Sequence, residues 1–528
     1  MDSKPALKPA VFSRNATGLV RELSAFAVFA WSIVYFPWLS SWAGIFWVTP
    51  DSYQNVNYYE SLGVWAIIAV VIVVLYWQMT IRMPRSGGDY VFVSRTLNPL
   101  LGVIAAVFFF VAIIISAGSG PYWAFTEAFS QLGFAGQVLH NSFMASLGST
   151  YTPGPGADTN LIFAIGVVLL AIGGIVTLFG GRLLRYIIYG FFGYAFLTLL
   201  VVAGIFLSTN HAGFLSDYNA HAASFTNTTS NIIAQGAAHG YTFGAIAVVI
   251  PVLFVSIGPY PVMQMVGGEI KNPRRSLLYG LVGAELVSIA VWFGLTYMLD
   301  HVVSISFINA YTVAPSAGAG FAAVPTVFAS VIAPNALLAW FIVGGLFVSN
   351  MGWSWLGFTF LSRLILSMSF DGVISTKFAH VSERFRTPTY AVILISCFTV
   401  VPLYLEFYTS FITTQVNSIF LLAVMWMLTS IAAIVLPFRK KSLYQSTAAG
   451  PRSRIPGISI LGVIGIVVFG YLAYYSIVNP AVGPFALGAR ILLSAVLAGA
   501  IIIYLATYFY NRSKNLNINA IFNELPPE

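Results

Sequence analysis

The chain has 528 residues, 58% of them hydrophobic and only 8% charged. A soluble domain carries about 25% charged residues, so composition excludes a protein wholly in water and calls for a bilayer. The net charge of +8 would suggest nucleic acid in a soluble chain, and topology explains it better here. The single cysteine, Cys397, lies in an apolar run and excludes a disulfide framework or a thiolate metal site.

Residues 1–22 read as a polar cytosolic tail carrying Lys4, Lys8, Arg14 and Arg21, with no clear cleavage site after it. About 20 apolar residues cross a bilayer as a helix, and twelve such runs follow. Helix 1 is predicted at 23–48, helix 2 at 61–82, helix 3 at 100–130, helix 4 at 160–181 and helix 5 at 185–208. After an extracytosolic loop at 209–241 come helix 6 at 242–267, helix 7 at 276–299, helix 8 at 331–362, helix 9 at 389–409 and helix 10 at 412–437. A cytosolic loop at 438–455 leads to helices 11 and 12, at 456–478 and 488–510, within a final stretch of 456–510. Residues 511–528 form a cytosolic C-terminal tail. The runs are too continuous for alternating barrel strands.

All of the 24 Lys and Arg residues except Arg490 fall in the two tails or in alternate junctions. The loops at 131–159, 209–241 and 300–330 hold none and are expected to be coil or short interfacial helices. By the positive-inside rule both termini are cytosolic in a multi-pass cell-membrane protein. Asn227-Thr228-Thr229 is a glycosylation sequon on the outer side.

Two helices are interrupted. Helix 1 contains Ser32-Ile33-Val34-Tyr35-Phe36-Pro37, and helix 6 contains Ser256-Ile257-Gly258-Pro259-Tyr260-Pro261. Proline frees the carbonyl four residues back, here those of Ile33, Val255 and Ile257. In lipid such groups need protein, water or ligand as partner. Breaks at matching positions of two halves point to a transporter site, although proline kinks are also ordinary in membrane helices. Helix 1 starts inside and helix 6 outside, so repeats of helices 1–5 (23–208) and 6–10 (242–437) would be inverted.

Three further stretches carry a resemblance. Pro84-Arg85-Ser86-Gly87-Gly88-Asp89-Tyr90 with Asn98-Pro99 precedes helix 3, and Gly268-Glu269-Ile270-Lys271-Asn272-Pro273-Arg274-Arg275 follows helix 6. Ser362-Arg363-Leu364, Ser369-Phe370-Asp371-Gly372 and Thr387-Pro388-Thr389-Tyr390 mark the 8–9 junction. In order and spacing these resemble segments of the amino acid–polyamine–organocation (APC) permeases over most of residues 15–440. The resemblance implies an all-α integral membrane protein of twelve helices. It implies a leucine-transporter-like five-plus-five inverted repeat with helices 1 and 6 broken. It also implies a permease that moves amino acids or related amines as symporter or antiporter. One stretch departs from the family: where many members carry glycines in helix 1, this chain has Ala30-Trp31-Ser32-Ile33-Val34. Substrate identity is therefore not carried over.

The residues themselves suggest roles. Ser32, Ile33, Val34 and Tyr35 of helix 1, and Ser256, Ile257, Gly258 and Tyr260 of helix 6, are the expected substrate-binding backbone, since half-helix ends favour carboxylate and ammonium groups. Trp123, Trp353 and Trp355 are candidate aromatic walls, and equally ordinary interfacial residues. Glu285, inside helix 7, is a coupling candidate because an intramembrane acid is costly; a protonated packing role is the alternative. Glu127, at the outer end of helix 3, fits a cationic substrate or plain interfacial solvation. Ser349, Asn350 and Ser354 suit a sodium ion or simple helix–helix hydrogen bonds. Arg85, Asp89, Glu269, Lys271, Arg363 and Asp371 are expected to form an inner gate of exposed pairs, each weak. Pro84, Gly87 and Gly88 should shape a turn, and Lys271 to Arg274 should cap helix 6.

No catalytic motif appears, and all six histidines (His140, His211, His221, His239, His301 and His380) fall in loops, so no enzyme is expected. No metal or cofactor is expected beyond a coupling H+ or Na+. The expected partners are a small-molecule solute and the bilayer, without nucleic acid, in a monomer or homodimer. A transporter-fold nutrient sensor or receptor, or a carrier of a non-amino-acid organic solute, is the alternative.

Overall fold

The computed structural model describes residues 18–42, 57–221, 228–236, 249–251, 253–254, 257–258, 261–313, 324–409, 412–445, 456–478, 487–514, 521–522 and 525. Among these, eleven helices are long and apolar enough to cross a membrane. They match helices 1–5 and 7–12 of the sequence reading. Helix 6 is not among them, because its described part is short helical pieces around 249–257 followed by 3-10 turns at Met263–Met265 and Gly267–Glu269.

Helix starts follow local chemistry. Helix 2 (Tyr58–Arg82) begins where Asn57 Oδ1 accepts from the Tyr59 and Glu60 amides. Helix 3 (Pro99–Val138) opens with Asn98 Oδ1 accepting from Leu101 N–H and with proline at its first position. Asn335 caps helix 8 (Ala336–Phe370) in the same way. Helix 3 thus runs eight residues beyond the predicted 130, to Val138, where Ser142–Tyr151 folds back onto it.

Helix 7 (Pro273–Val302) differs from expectation at its start. Asn272 adopts a left-handed φ of 44° and Pro273 takes the first helical position. The Lys-Asn-Pro-Arg stretch therefore opens helix 7 and does not cap helix 6. Proline presets the first turn, and asparagine is among the few residues that tolerate the left-handed region. A π-helical stretch follows at Leu278–Val282, for which periodicity gave no signal.

The basic segments meet at one end. Leu23 N–H donates to the Glu269 carbonyl and Lys271 N–H to that of Leu23, both at 2.9 Å. Arg185 reaches Glu22, Gly87 N–H donates to Met265 O, and Arg439 donates to Leu97 O at 2.6 Å. Phe522, from the C-terminal segment, lies under the Arg95 guanidinium at 5.0 Å. The 8–9 junction joins them through Asp371, which pairs with Arg95 at 2.6 Å, so all seven Lys/Arg-bearing segments touch a neighbour at this end.

Gly87 shows why the turn before helix 3 needs glycine. Its φ is +98°, and an added Cβ would lie 2.6 Å from the Ser367 side chain of helix 8. Gly87→Ala combines a left-handed penalty with overpacking and should cost about 2 kcal/mol or more. Thermal unfolding of the purified protein in detergent checks this; an unchanged midpoint would contradict the packing described.

Candidate functional site

Helix 1 is helical over Ala25–Tyr35, breaks at Phe36–Pro37 and resumes at Trp38–Trp42. Tyr35 is twelve residues beyond Leu23, which puts the break roughly 18 Å from the basic end, near the middle of a hydrocarbon core of about 30 Å. Phe36 N–H still donates to Ser32 O at 3.2 Å. Proline leaves Ile33 O without its helical donor. The Ser32 hydroxyl turns back to Val28 O at 2.8 Å. Tyr35 packs edge-on against Phe360 of helix 8 at 5.3 Å and hydrogen-bonds Ser116 of helix 3. Helix 8 approaches closely here, since a Cβ on Gly352 would lie 2.4 Å from the Val34 side chain.

In the helix 6 segment Gly258 has φ +76°, a conformation that ends an α-helix and suits glycine. Its carbonyl accepts a 2.5 Å hydrogen bond from the indole N–H of Trp65 on helix 2. Trp65 went unnoticed in the sequence, because one tryptophan in an apolar run looks like packing. Ile257 is buried. Ser256 and Tyr260 lie outside the described residues, as do Val255, Pro259 and Asn227 of the sequon.

A small, almost wholly apolar cavity flanks the helix 1 break. Ile33, Val34 and Pro37 line it on one side, Phe191 and Phe192 of helix 5 on another, and Ser349 of helix 8 closes it. The Ser349 hydroxyl donates to Gly345 O at 2.7 Å, and that of Ser354 to Ala117 O of helix 3 at 2.6 Å. Both protons are thus committed to the backbone, and the oxygens remain acceptors. Trp353 is half-buried and donates to Asn350 Oδ1 at 3.2 Å. Trp123 packs edge-on to Tyr122, and Trp355 is tilted against Phe191 at 5.4 Å.

Glu127 and Glu285 sit in membrane helices away from the basic end, as does the buried Glu406 of helix 9. Glu127 Oε2 accepts from Ser40 at 2.6 Å and from Asn350 at 2.8 Å; interfacial solvation does not describe it. Glu285 follows the π-stretch, and its Oε1 is buried without a hydrogen-bond partner among the described residues. One turn on, Ser288 accepts from the Trp38 indole at 2.8 Å.

At the basic end the expected exposed pairs are buried ones. Arg363 forks onto Glu269 at 2.7 and 3.0 Å, with 2% and 11% of the two side chains exposed. Arg95 forks onto Asp371 at 2.6 and 2.7 Å, and Tyr90 donates to Asp371 at 2.7 Å. Asp89 has no such fork. It accepts from Tyr76 at 2.7 Å, Thr429 at 2.6 Å and Gln264 at 2.8 Å, all neutral donors. Burial pushes the Asp89 carboxyl above its ordinary value, and these three bonds pull it back. Arg85 is half-buried and donates to Pro84 O, while the Lys271 side chain is exposed. Arg95, Tyr76, Gln264 and Thr429 were missed because their partners lie tens to hundreds of positions away in sequence. No cluster of three or more metal-ligating side chains occurs among the described residues.

A family model described as amino acid permease matches residues 22–505. The chain belongs to the amino acid permease family. That accounts for the motifs around Gly87, Glu269 and Arg363, and it makes this permease a membrane transporter of a small-molecule solute rather than an enzyme.

Two substitutions test the buried charges. Arg363→Ala strands Glu269 and should lower stability by about 3–5 kcal/mol. For Asp89 the order is diagnostic. Asp89→Ala orphans three donors and should cost about 1–3 kcal/mol, whereas Asp89→Asn keeps one acceptor oxygen for them, exchanges the other for an amide donor, and should cost less. Unfolding midpoints in detergent give both comparisons, and Asn costing more than Ala would reverse the reading of Asp89.

Proposed function

We propose that this permease is a secondary active transporter that moves an amino acid or related organic amine across the cell membrane. It works by alternating access, driven by a proton or sodium gradient or by exchange, with both termini cytosolic. The observation that carries this reading is the break of helix 1 at mid-depth, between helices 3 and 8. An interrupted helix offers backbone groups in a place where lipid offers none, and transporters bind solutes at such breaks. Family membership supports an amino acid or related amine as the solute.

In this reading Ser32 to Tyr35, together with Ser256, Ile257, Gly258 and Tyr260, bind the solute, with Trp123 and Trp353 beside them. Glu285, Ser349 and Ser354 are the coupling candidates. The Glu269–Arg363 and Arg95–Asp371 forks, with Asp89, Arg85 and Lys271, form the inner gate. The buried forks lock that gate more firmly than exposed pairs would, so opening it requires the energy of solute and ion binding. The twelve-helix, five-plus-five inverted repeat supplies the two rocking groups.

The test is uptake into proteoliposomes from a mixed pool of labelled amino acids and polyamines, with a proton gradient, a sodium gradient or none. Saturable accumulation of one solute is expected. Gly258→Ala, which strains a positive φ, should slow it roughly tenfold. Absence of flux with folded protein, under every gradient and in counterflow, would overturn the transport reading and favour sensing.

A further inference from the structure

Glu127 sits roughly 40 Å along helix 3 from Pro99 at the basic end, in the outer half of the bundle in the proposed orientation. It faces two other helices. Its Oε2 accepts from Ser40, in the part of helix 1 beyond the break, and from Asn350 of helix 8. Glu127 is half-buried, and its Oε1 has no hydrogen-bond partner among the described residues.

The orientation of Asn350 decides what Glu127 can hold. Its Nδ2 donates to Glu127, to Ser40 at 3.4 Å and to Leu346 O at 3.0 Å, while its Oδ1 accepts from the Trp353 indole. The indole N–H and the Leu346 carbonyl fix which end of the amide faces the carboxylate. The groups around Oε2 are therefore donors. A sodium ion or a substrate ammonium needs several acceptors, and here it would meet one free oxygen. A proton needs only that oxygen.

Titratable neighbours are few. Elements packed on helix 3 bring Glu406 of helix 9, which acts on Tyr122, and Tyr151, which stacks on Phe129 at 5.0 Å. Neither bonds to Glu127, and no Lys, Arg or His does so among the described residues. Hydrogen bonds to an ionised carboxylate are roughly twice as strong as those to a neutral acid. The charge state of this one group thus changes how strongly the outer parts of helices 1 and 8 are bonded to helix 3.

We propose that Glu127 is the proton-binding site of this permease: ionised, it clasps the far half of helix 1 and helix 8 to helix 3, and protonated, it lets them part. Resting on the transport reading, this names the coupling ion and the residue that carries it. Glu285, whose buried oxygen has no donor, has no comparable bond to release.

The experiment uses the full chain in proteoliposomes with the mixed pool of labelled amino acids and polyamines. An inward proton gradient should drive accumulation in the wild type. In Glu127→Gln that accumulation should fall at least roughly tenfold, while counterflow into preloaded vesicles persists and loses its pH dependence. Ser40→Ala removes one donor to the ionised form, so its pH profile of uptake should move up by roughly one unit. That shift carries the test should Glu127→Gln fail to fold. Four results overturn the proposal: accumulation driven by sodium and not protons, proton drive lost in Glu285→Gln but kept in Glu127→Gln, equal loss of counterflow and accumulation in folded Glu127→Gln, or an unmoved profile in Ser40→Ala. In each of these the wild type still transports, so the transport reading survives. A wild type without any flux removes both.

Discussion

Hydrocarbon offers no hydrogen bonds, and this single constraint shapes the permease. Every peptide group released by a break must find a partner inside the protein. Trp65 meets that demand for Gly258 by turning its indole N–H onto the carbonyl. At helix 1 the chain breaks at Pro37 and resumes within three residues, which keeps the number of freed groups small. Helix 8 comes close to the break because Gly352 leaves room for Val34. Large side chains and close backbone approach thus surround the interruption.

Buried charge is held in two ways in the bundle. At the basic end, opposite charges fork onto one another at Arg363–Glu269 and Arg95–Asp371. Removing either partner would leave an uncompensated ion, so the closed arrangement is cooperative. Asp89 at the same end and Glu127 away from it are instead held only by neutral donors. Forks of fixed charges resist change with pH, whereas a carboxylate among neutral donors responds to it.

Much of this was legible in the sequence. Long apolar runs, alternating Lys and Arg junctions and the break at Pro37 are local signals, and eleven spans and the helix 1 interruption follow them. The glycine pair before helix 3 was also readable, because left-handed turns demand it. Partners were not readable. Asp89 meets Gln264 and Thr429 across 175 and 340 positions, and nothing in one sequence without an alignment couples them. Glu127 looked interfacial because hydropathy sees depth but not the donors on other helices. The π-stretch of helix 7 left no trace, since one extra residue in a turn barely disturbs a helical pattern.

Phe522 and Arg95 bear on how this permease is made. Arg95 lies before helix 3, while the ring that covers it lies after helix 12. Translation produces the guanidinium long before its cover. Until helices 3 to 12 have been inserted, the basic end lacks that apolar cover. A half-made permease therefore lacks this contact, which forms only after the ribosome has passed helix 12.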